Sequence, residues 1–137
     1  MRCDTCVMLQ GSCHCGAVRW VFDGRPDSAT ACNCTVCRRY AALWAYGYEN
    51  EGITVSGPTS RYVRGDQVLG FHFCNACGCM AYWRALEAEV GGRRRMGVNL
   101  RLAEPDGLVD IPVRRVDWLD ESGGLPMDGR RISDFWV

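Results

Sequence analysis

A chain of 137 residues accommodates one domain with a real core and has no room for two independent ones. Its charge balances, 16 basic residues (all of them arginine) against 16 acidic ones, so no long-range field draws it to nucleic acid or to an acidic membrane. Ten cysteines, about 7% of the chain, stand just under the density of a secreted disulfide scaffold and far above that of an ordinary intracellular enzyme.

The start offers only Val7, Met8 and Leu9 as consecutive apolar residues, short of the roughly 7 to 15 that a secretory signal needs. No run approaches the ~18 of a transmembrane helix. The expectation is a soluble, cytoplasmic chain whose thiols stay reduced, so that grouped cysteines are metal ligands or catalytic thiols before they are bridges. Residues 1–7 read as an extension, because Met8 would itself open a chain that runs straight into the first strand. Cys3 and Cys6 then lie outside the domain, as a metal-binding or disulfide pair or as two idle thiols.

Val18, Trp20 and Phe22 alternate with Arg19 and Asp23, a period of two that predicts a strand ending at the turn Asp23-Gly24. Residues 35–42 have room for two helical turns. Short strands are predicted at 43–48, 53–55, 60–63, 68–74 and 80–83, one or two helical turns at 84–90, and further strands at 96–100 and 113–118. The segment 120–137, rich in Gly, Asp and Pro, reads as a loop that docks through Leu125, Phe135 and Trp136 or stays mobile. The class is therefore mainly β with few short helices: a domain over 8–126, the extension before it, and a tail over 127–137.

The eight remaining thiols form three groups: Cys13 and Cys15; Cys32, Cys34 and Cys37; Cys74, Cys77 and Cys79. Structural zinc takes four tetrahedral ligands, usually as two short pairs from separate hairpins. Cys13-His-Cys15-Gly and Cys74-Asn-Ala-Cys77-Gly are such pairs. Closing the long loop between them costs a few kcal/mol, whereas structural zinc contributes ~10 to 16 kcal/mol. Cys32-Asn-Cys34-Thr-Val-Cys37 supplies three thiols in a run too short to surround a metal, which leaves the fourth position open, the arrangement of a catalytic zinc. Arg38 and Arg39 follow directly and would favour thiolates.

Cys79 stands apart. It is a fourth ligand closing the second group, a small buried thiol, or a free thiol lining the pocket of Cys32 and Cys37. His14 lies between two ligands and His72 two before Cys74, and alternation is read to turn both rings to the face opposite the sulfurs, so both are read as non-ligands. Tyr40, Trp44 and Tyr46 would wall the pocket of the second group. Arg93, Arg94 and Arg95 form either a fork for the carboxylates of a peptide thiol or a solvated turn. Asn99, polar where an apolar residue would fit the pattern, is read as bonding a neighbouring loop.

The order GSCHCGAV, CNCTVCRR, FHFCNACGC, then VN and a late Trp resembles the glutathione-dependent formaldehyde-activating enzyme family, to which centromere protein V also belongs. The resemblance runs from about Met8 to Leu125. It implies stacked antiparallel sheets held by zinc, similar to the fold of a Rab exchange-factor chaperone, with structural zinc on Cys13, Cys15, Cys74 and Cys77. A labile or catalytic second zinc on Cys32, Cys34 and Cys37 is implied as well. The activity implied is that of a carbon–sulfur lyase joining glutathione and formaldehyde into S-hydroxymethylglutathione, with a small-molecule thiol as partner. A non-catalytic zinc-stapled binding module and a thiol redox or metal-handling protein are the competing readings. Cys79 departs from the family pattern, in which a small hydroxyl or aliphatic residue is commoner there.

Overall fold

The structure, a computed structural model, describes residues 8–65, 67–117 and 123–135. Cys3, Cys6, Trp118 and Trp136 lie outside the described residues. The chain is built of short strands: β1 Met8–Ser12, β2 Arg19–Asp23, β3 Ala29–Cys32, β4 Trp44–Glu49, β5 Gly52–Ser56, β6 Thr59–Val63, β7 Leu69–Cys74, β8 Met80–Ala85, β9 Arg95–Asn99, β10 Val113–Asp117 and β11 Gly123–Gly124. Among the described residues the one α-helix, α1, is a single turn at Cys37–Tyr40, with 3-10 turns at Leu100–Leu102, Pro105–Gly107 and Ile132–Phe135. Among the described residues no helix is long and apolar enough to cross a membrane.

Most of the expected strands are present within a residue or two, because alternation bounded by Gly, Pro or Asn is a strong local signal. The strands join one sheet, in the order β1-β2-β5-β4-β9-β8-β7-β6, and β3 branches from β4 to carry β10 and β11. The sheet is mixed where stacked antiparallel sheets were implied, since β3 runs parallel to β10 and β4 runs parallel to β5.

Two expected helices fail. Residues 35–42 make one turn instead of two, ended by Ala41 in the left-handed conformation (φ 51°). Residues 84–90 begin as the end of β8, because Arg84 and Ala85 pair with β7 and sheet pairing overrides weak helical propensity. β3 was not anticipated at all. Its four residues are held by the distant β10, with Ala29 opposite Val113 and Cys32 opposite Val116, and local pattern carries no trace of such pairing.

The tail docks through a different residue from those expected. Ile132 is fully buried and its amide bonds the Ile111 carbonyl at 2.9 Å, whereas Leu125 and Phe135 are only half-buried.

Two apolar clusters position the chemistry. The larger gathers Val18, Trp20, Leu43, Ile53, Met96 and Val98 under the sheet. Gly11 faces Trp20 across β1 and β2, and a Cβ there would fall inside the indole. The smaller packs Trp44, Phe71, Met80 and Trp83 directly against Cys34 and Cys37, so the second thiol group rests on an aromatic floor.

Candidate functional site

The first thiol cluster forms where the end of β1 meets the end of β7. After Cys13 and Cys15 the chain turns at Gly16 (φ 83°), whose amide bonds the Cys13 carbonyl at 3.0 Å. After Cys74 and Cys77 it turns at Gly78 (φ 81°), whose amide bonds the Cys74 carbonyl at 2.8 Å. Both turns need a positive φ that glycine adopts without strain, and both aim backbone N–H groups at sulfur. The Val18 amide donates to Cys13 Sγ at 3.2 Å, and the Ala76 and Cys77 amides each donate to Cys74 Sγ at 3.4 Å. The sulfurs of Cys15 and Cys74, 59 residues apart in sequence, come within 3.6 Å. All four Sγ atoms lie within 4.8 Å of one another, a group able to hold a metal ion.

Charge follows the amides. Hydrogen bonds from the Cys15 and Cys79 amides hold the Cys77 thiol down to about 5, and the Cys77 and Ala76 amides lower Cys74. Cys77 is therefore a thiolate at neutral pH, the form a cation requires, whereas at Cys15 the lowering effect of the Ala17 amide is outweighed by hydrogen bonds with Cys74 and Cys13, which push that thiol up to about 11.

The second cluster sits at the junction of β3 and α1. Cys32 ends the strand and Cys37 opens the helix. Between them, the Cys34 amide donates to Cys32 Sγ at 3.5 Å, and the Cys37 amide donates to Cys34 Sγ at 3.4 Å. The Trp44 indole Nε1–H donates to Cys37 Sγ at 3.4 Å. These three sulfurs also lie within 4.8 Å of one another and are able to hold a metal ion. Cys37 donates a hydrogen bond to Cys32; that bond, with the Cys34 amide and the charge of Arg64, brings the Cys32 thiol down to about 6. The same bond, together with burial, pushes Cys37 up. One of the pair is thus a thiolate at neutral pH and the other holds the shared proton.

Above the three sulfurs opens a cavity of about 620 Å³, walled by Trp44, Tyr46, Leu69, Phe71 and Trp83 and rimmed by Arg64 and Arg95. Trp44 and Tyr46 are walls as the sequence suggests, and Tyr40 lines an adjoining hollow. Desolvation at the cavity wall pushes the Tyr46 phenol up to about 12, although 45% of the residue's surface stays exposed. The phenol is therefore a proton-bearing donor throughout the neutral range.

Several sequence readings change here. The arginine whose charge reaches the thiols is Arg64, from the loop after β6, rather than Arg38 or Arg39; it could be found only once β6 and β7 were seen to fold over α1. Cys79 neither closes the second group nor lines its cavity. It sits beside the first cluster, where it takes the His14 amide and bonds Cys77.

His72 joins neither thiol cluster, but the expected reason fails: two residues before Cys74 in β7, it shares that residue's face of the strand. The ring is engaged elsewhere, bonding Thr59 at 2.9 Å and stacking on Tyr82. His14 is exposed. Arg93 and Arg94 are structural: Arg93 pairs with Glu51 at 3.0 Å over the Tyr48 ring, and Arg94 holds the Ala85 and Leu86 carbonyls. Only Arg95 of the three reaches the cavity. Asn99 ties three segments together, accepting from the Leu43 and Arg101 amides and donating to the Met80 carbonyl at 2.9 Å.

A mainly β fold with two cysteine clusters able to bind metal, one of them opening on a cavity, defines a small thiolate-rich metal-binding class. The profile of the glutathione-dependent formaldehyde-activating enzyme family matches residues 8–105, and the chain belongs to that family. A protein of Halomonas elongata provisionally named as such an enzyme is 32% identical over 88 residues, 56% of this chain and 55% of that protein. The chain thus matches about half the length of this curated relative. A crystal structure of a Rhodobacter sphaeroides protein superposes with a TM-score of 0.54 at 27% identity, covering 70% of this chain and 88% of the other.

Proposed function

We propose that the chain is a zinc-dependent enzyme of the cytoplasm that interconverts glutathione and formaldehyde with S-hydroxymethylglutathione, carbon–sulfur lyase chemistry in the reverse sense. The observation that carries this reading is the one-sidedness of the second cluster. Three sulfurs lie against an aromatic floor and their free side faces a cavity.

The donor sets fit zinc. A tetrahedron on zinc–sulfur bonds of about 2.3 Å has edges of about 3.8 Å, and the first cluster already shows sulfur separations of 3.6 Å. Cys13, Cys15, Cys74 and Cys77 would hold a structural ion, and Cys32, Cys34 and Cys37 a catalytic one. Held there, such an ion would supply Lewis acidity that lowers the pKa of a substrate thiol.

The chain's own residues do the rest. Trp44, Phe71 and Trp83, each at most 5% exposed, keep water from the floor of the cavity. The substrate sulfur attacks the formaldehyde carbon, the carbon–sulfur bond forms, and the carbonyl π pair moves to oxygen. Tyr46, whose phenol keeps its proton at neutral pH, donates its O–H to that oxygen as charge develops there. The proton released by the thiol goes to solvent, and the phenol is restored from solvent. Arg64 and Arg95 at the rim attract the anionic thiol.

Exchange NMR with ¹³C-formaldehyde and glutathione tests the reading. Zinc-loaded protein should speed adduct formation above the spontaneous rate, and Cys34→Ala should not. No acceleration by fully loaded protein would end the proposal.

A further inference from the structure

We propose that Asp117 is a positioning residue for the second thiol cluster: through the side chain of Asn33, its carboxylate fixes the loop that carries Cys32 and Cys34 and so sets the geometry in which those thiols take a metal ion. The inference rests on the zinc reading proposed above and deepens it by naming what holds that site in shape.

Asn33 sits between two of the three thiols and is held at two points. Its amide donates to the Val116 carbonyl at 3.3 Å, one step beyond the pairing of Cys32 with Val116 that ends the contact of β3 with β10. Its side-chain Nδ2–H donates to Asp117 Oδ1 at 2.9 Å, across 84 residues of sequence. A carboxylate only accepts, so this bond also fixes which end of the Asn33 amide faces β10. Both residues are half-buried, and a hydrogen bond to an ionised group is stronger than one between neutral groups. Backbone and side chain together clamp residue 33 to the end of β10, and the residue cannot turn about the chain axis without breaking one of the two bonds.

Such a turn would reach the sulfurs. The peptide that follows Asn33 carries the Cys34 amide, which donates to Cys32 Sγ at 3.5 Å, and the Cys37 amide donates to Cys34 Sγ at 3.4 Å. Rotating residue 33 swings the first N–H off its sulfur and carries Cys34 Sγ away from the other two. The groups that orient metal ligands from behind matter nearly as much to affinity as the ligands do.

The clamp serves one cluster. Among the described residues β10 pairs with β3 and β11, and not with β1 or β7, which lead into the first thiol group. Asp117 also lies beyond residue 105, where the match to the family profile ends, so the span that defines the family does not contain this half of the clamp.

Competition with a chromophoric chelator, one zinc equivalent at a time, tests the proposal on the full chain. Asp117→Ala should weaken the weaker-bound equivalent about tenfold and leave the tighter one unchanged. Asn33→Ala should do the same, and the two together should cost no more than either alone, because both remove one bond. Asn33→Asp sets two carboxylates face to face and should weaken that equivalent further. Adding Asp117→Asn to it restores a donor opposite an acceptor and should recover most of the loss, an exchange that a general loosening of β10 would not respect. Asp128→Ala breaks the 3.2 Å ion pair of Arg115 on the same strand and should keep both wild-type affinities. Wild-type affinity in Asp117→Ala, additive losses in the double alanine variant, no recovery on the exchange, or an equal loss in Asp128→Ala each overturns the inference. Where Asp117→Ala does not fold, Asn33→Ala and the exchange decide.

Should the wild type take up a single zinc, the zinc reading fails, and hydrogen exchange in the metal-free chain decides the clamp by itself. The Asn33 and Cys34 amides should exchange about tenfold faster in Asp117→Ala than in wild type, and at the wild-type rate in Asp128→Ala. Equal exchange in Asp117→Ala and wild type overturns it.

Discussion

Trp44→Phe separates the chemical role of the aromatic floor from its packing role. The indole is 1% exposed, tilts against Phe71 with centres 6.2 Å apart, and donates Nε1–H to Cys37 Sγ at 3.4 Å. Phenylalanine keeps a ring in place and removes the donor. Loss of the buried pyrrole edge costs ~1 to 3 kcal/mol of stability, as other partial core truncations do. Loss of the donor acts on the sulfur, because that hydrogen bond lowers the otherwise raised Cys37 thiol and favours the thiolate. A hydrogen bond to a charged group is worth ~1.5 to 3 kcal/mol, and removing a group that orients a metal ligand typically weakens metal affinity by about 10- to 100-fold. Two measurements are needed: a melting curve, and competition with a chromophoric chelator for each metal equivalent in turn. The weaker-bound equivalent should lose affinity by about tenfold or more, and the tighter one should be unchanged. A variant with a lowered melting temperature but wild-type affinity for both equivalents would refute the argument and reduce Trp44 to packing.

Three further outcomes follow from the geometry. Gly11→Ala should destabilise the fold by ~1 to 3 kcal/mol, lowering Tm by several degrees, because its methyl group would occupy space held by the buried Trp20 indole; an unchanged Tm would mean that β1 can shift freely. Cys79→Ser should retain the full metal content, since Cys79 bonds Cys77 from beside the first cluster, and loss of one metal per chain would make it a ligand. Burial, with help from Arg84 and Arg61, pushes the His72 imidazole down to about 4 from an ordinary 6.5. Between those values the unfolded chain takes up a proton that the folded one refuses, so this contribution is complete above pH 6.5 and is lost as pH falls toward 4. Its ceiling is ~3 kcal/mol, read as the difference between wild type and His72→Gln in denaturant melts from pH 7 to pH 4; parallel pH dependences would contradict it.

The sequence made the two thiol clusters visible because their chemistry is local: Cys13 with Cys15, Cys74 with Cys77, and the run from Cys32 to Cys37 each carry their own spacing. The partnership of Cys15 with Cys74 was legible only because zinc needs four ligands and two pairs supply them. What sequence could not give is whatever depends on distant pairing. β3 exists because β10 runs beside it, and β3 in turn sets Thr30 opposite Trp44 on β4, the strand that carries Tyr46 into the cavity wall. Arg64 reaches the thiols because the hairpin of β6 and β7 folds over α1, whereas its sequence neighbourhood reads as an ordinary turn. Arg38 and Arg39 seemed better placed on spacing alone, and a helical turn directs Arg39 into the adjoining hollow instead. Cys79 misled for a similar reason: a two-residue offset allows either face of a tight turn, and the His14 amide decides between them.

Metal content measured together with thermal melting in the wild type, Cys34→Ala and Cys74→Ala tests the division of labour between the clusters most directly. The account predicts two zinc ions per wild-type chain. Cys34→Ala should keep one ion and most of its melting temperature while losing turnover. Cys74→Ala should forfeit much of the ~10 to 16 kcal/mol that a structural zinc contributes, more than a domain of this size can spare, and should fail to fold. A Cys74→Ala protein that melts as the wild type does, or a Cys34→Ala protein that unfolds as completely as Cys74→Ala, would contradict it.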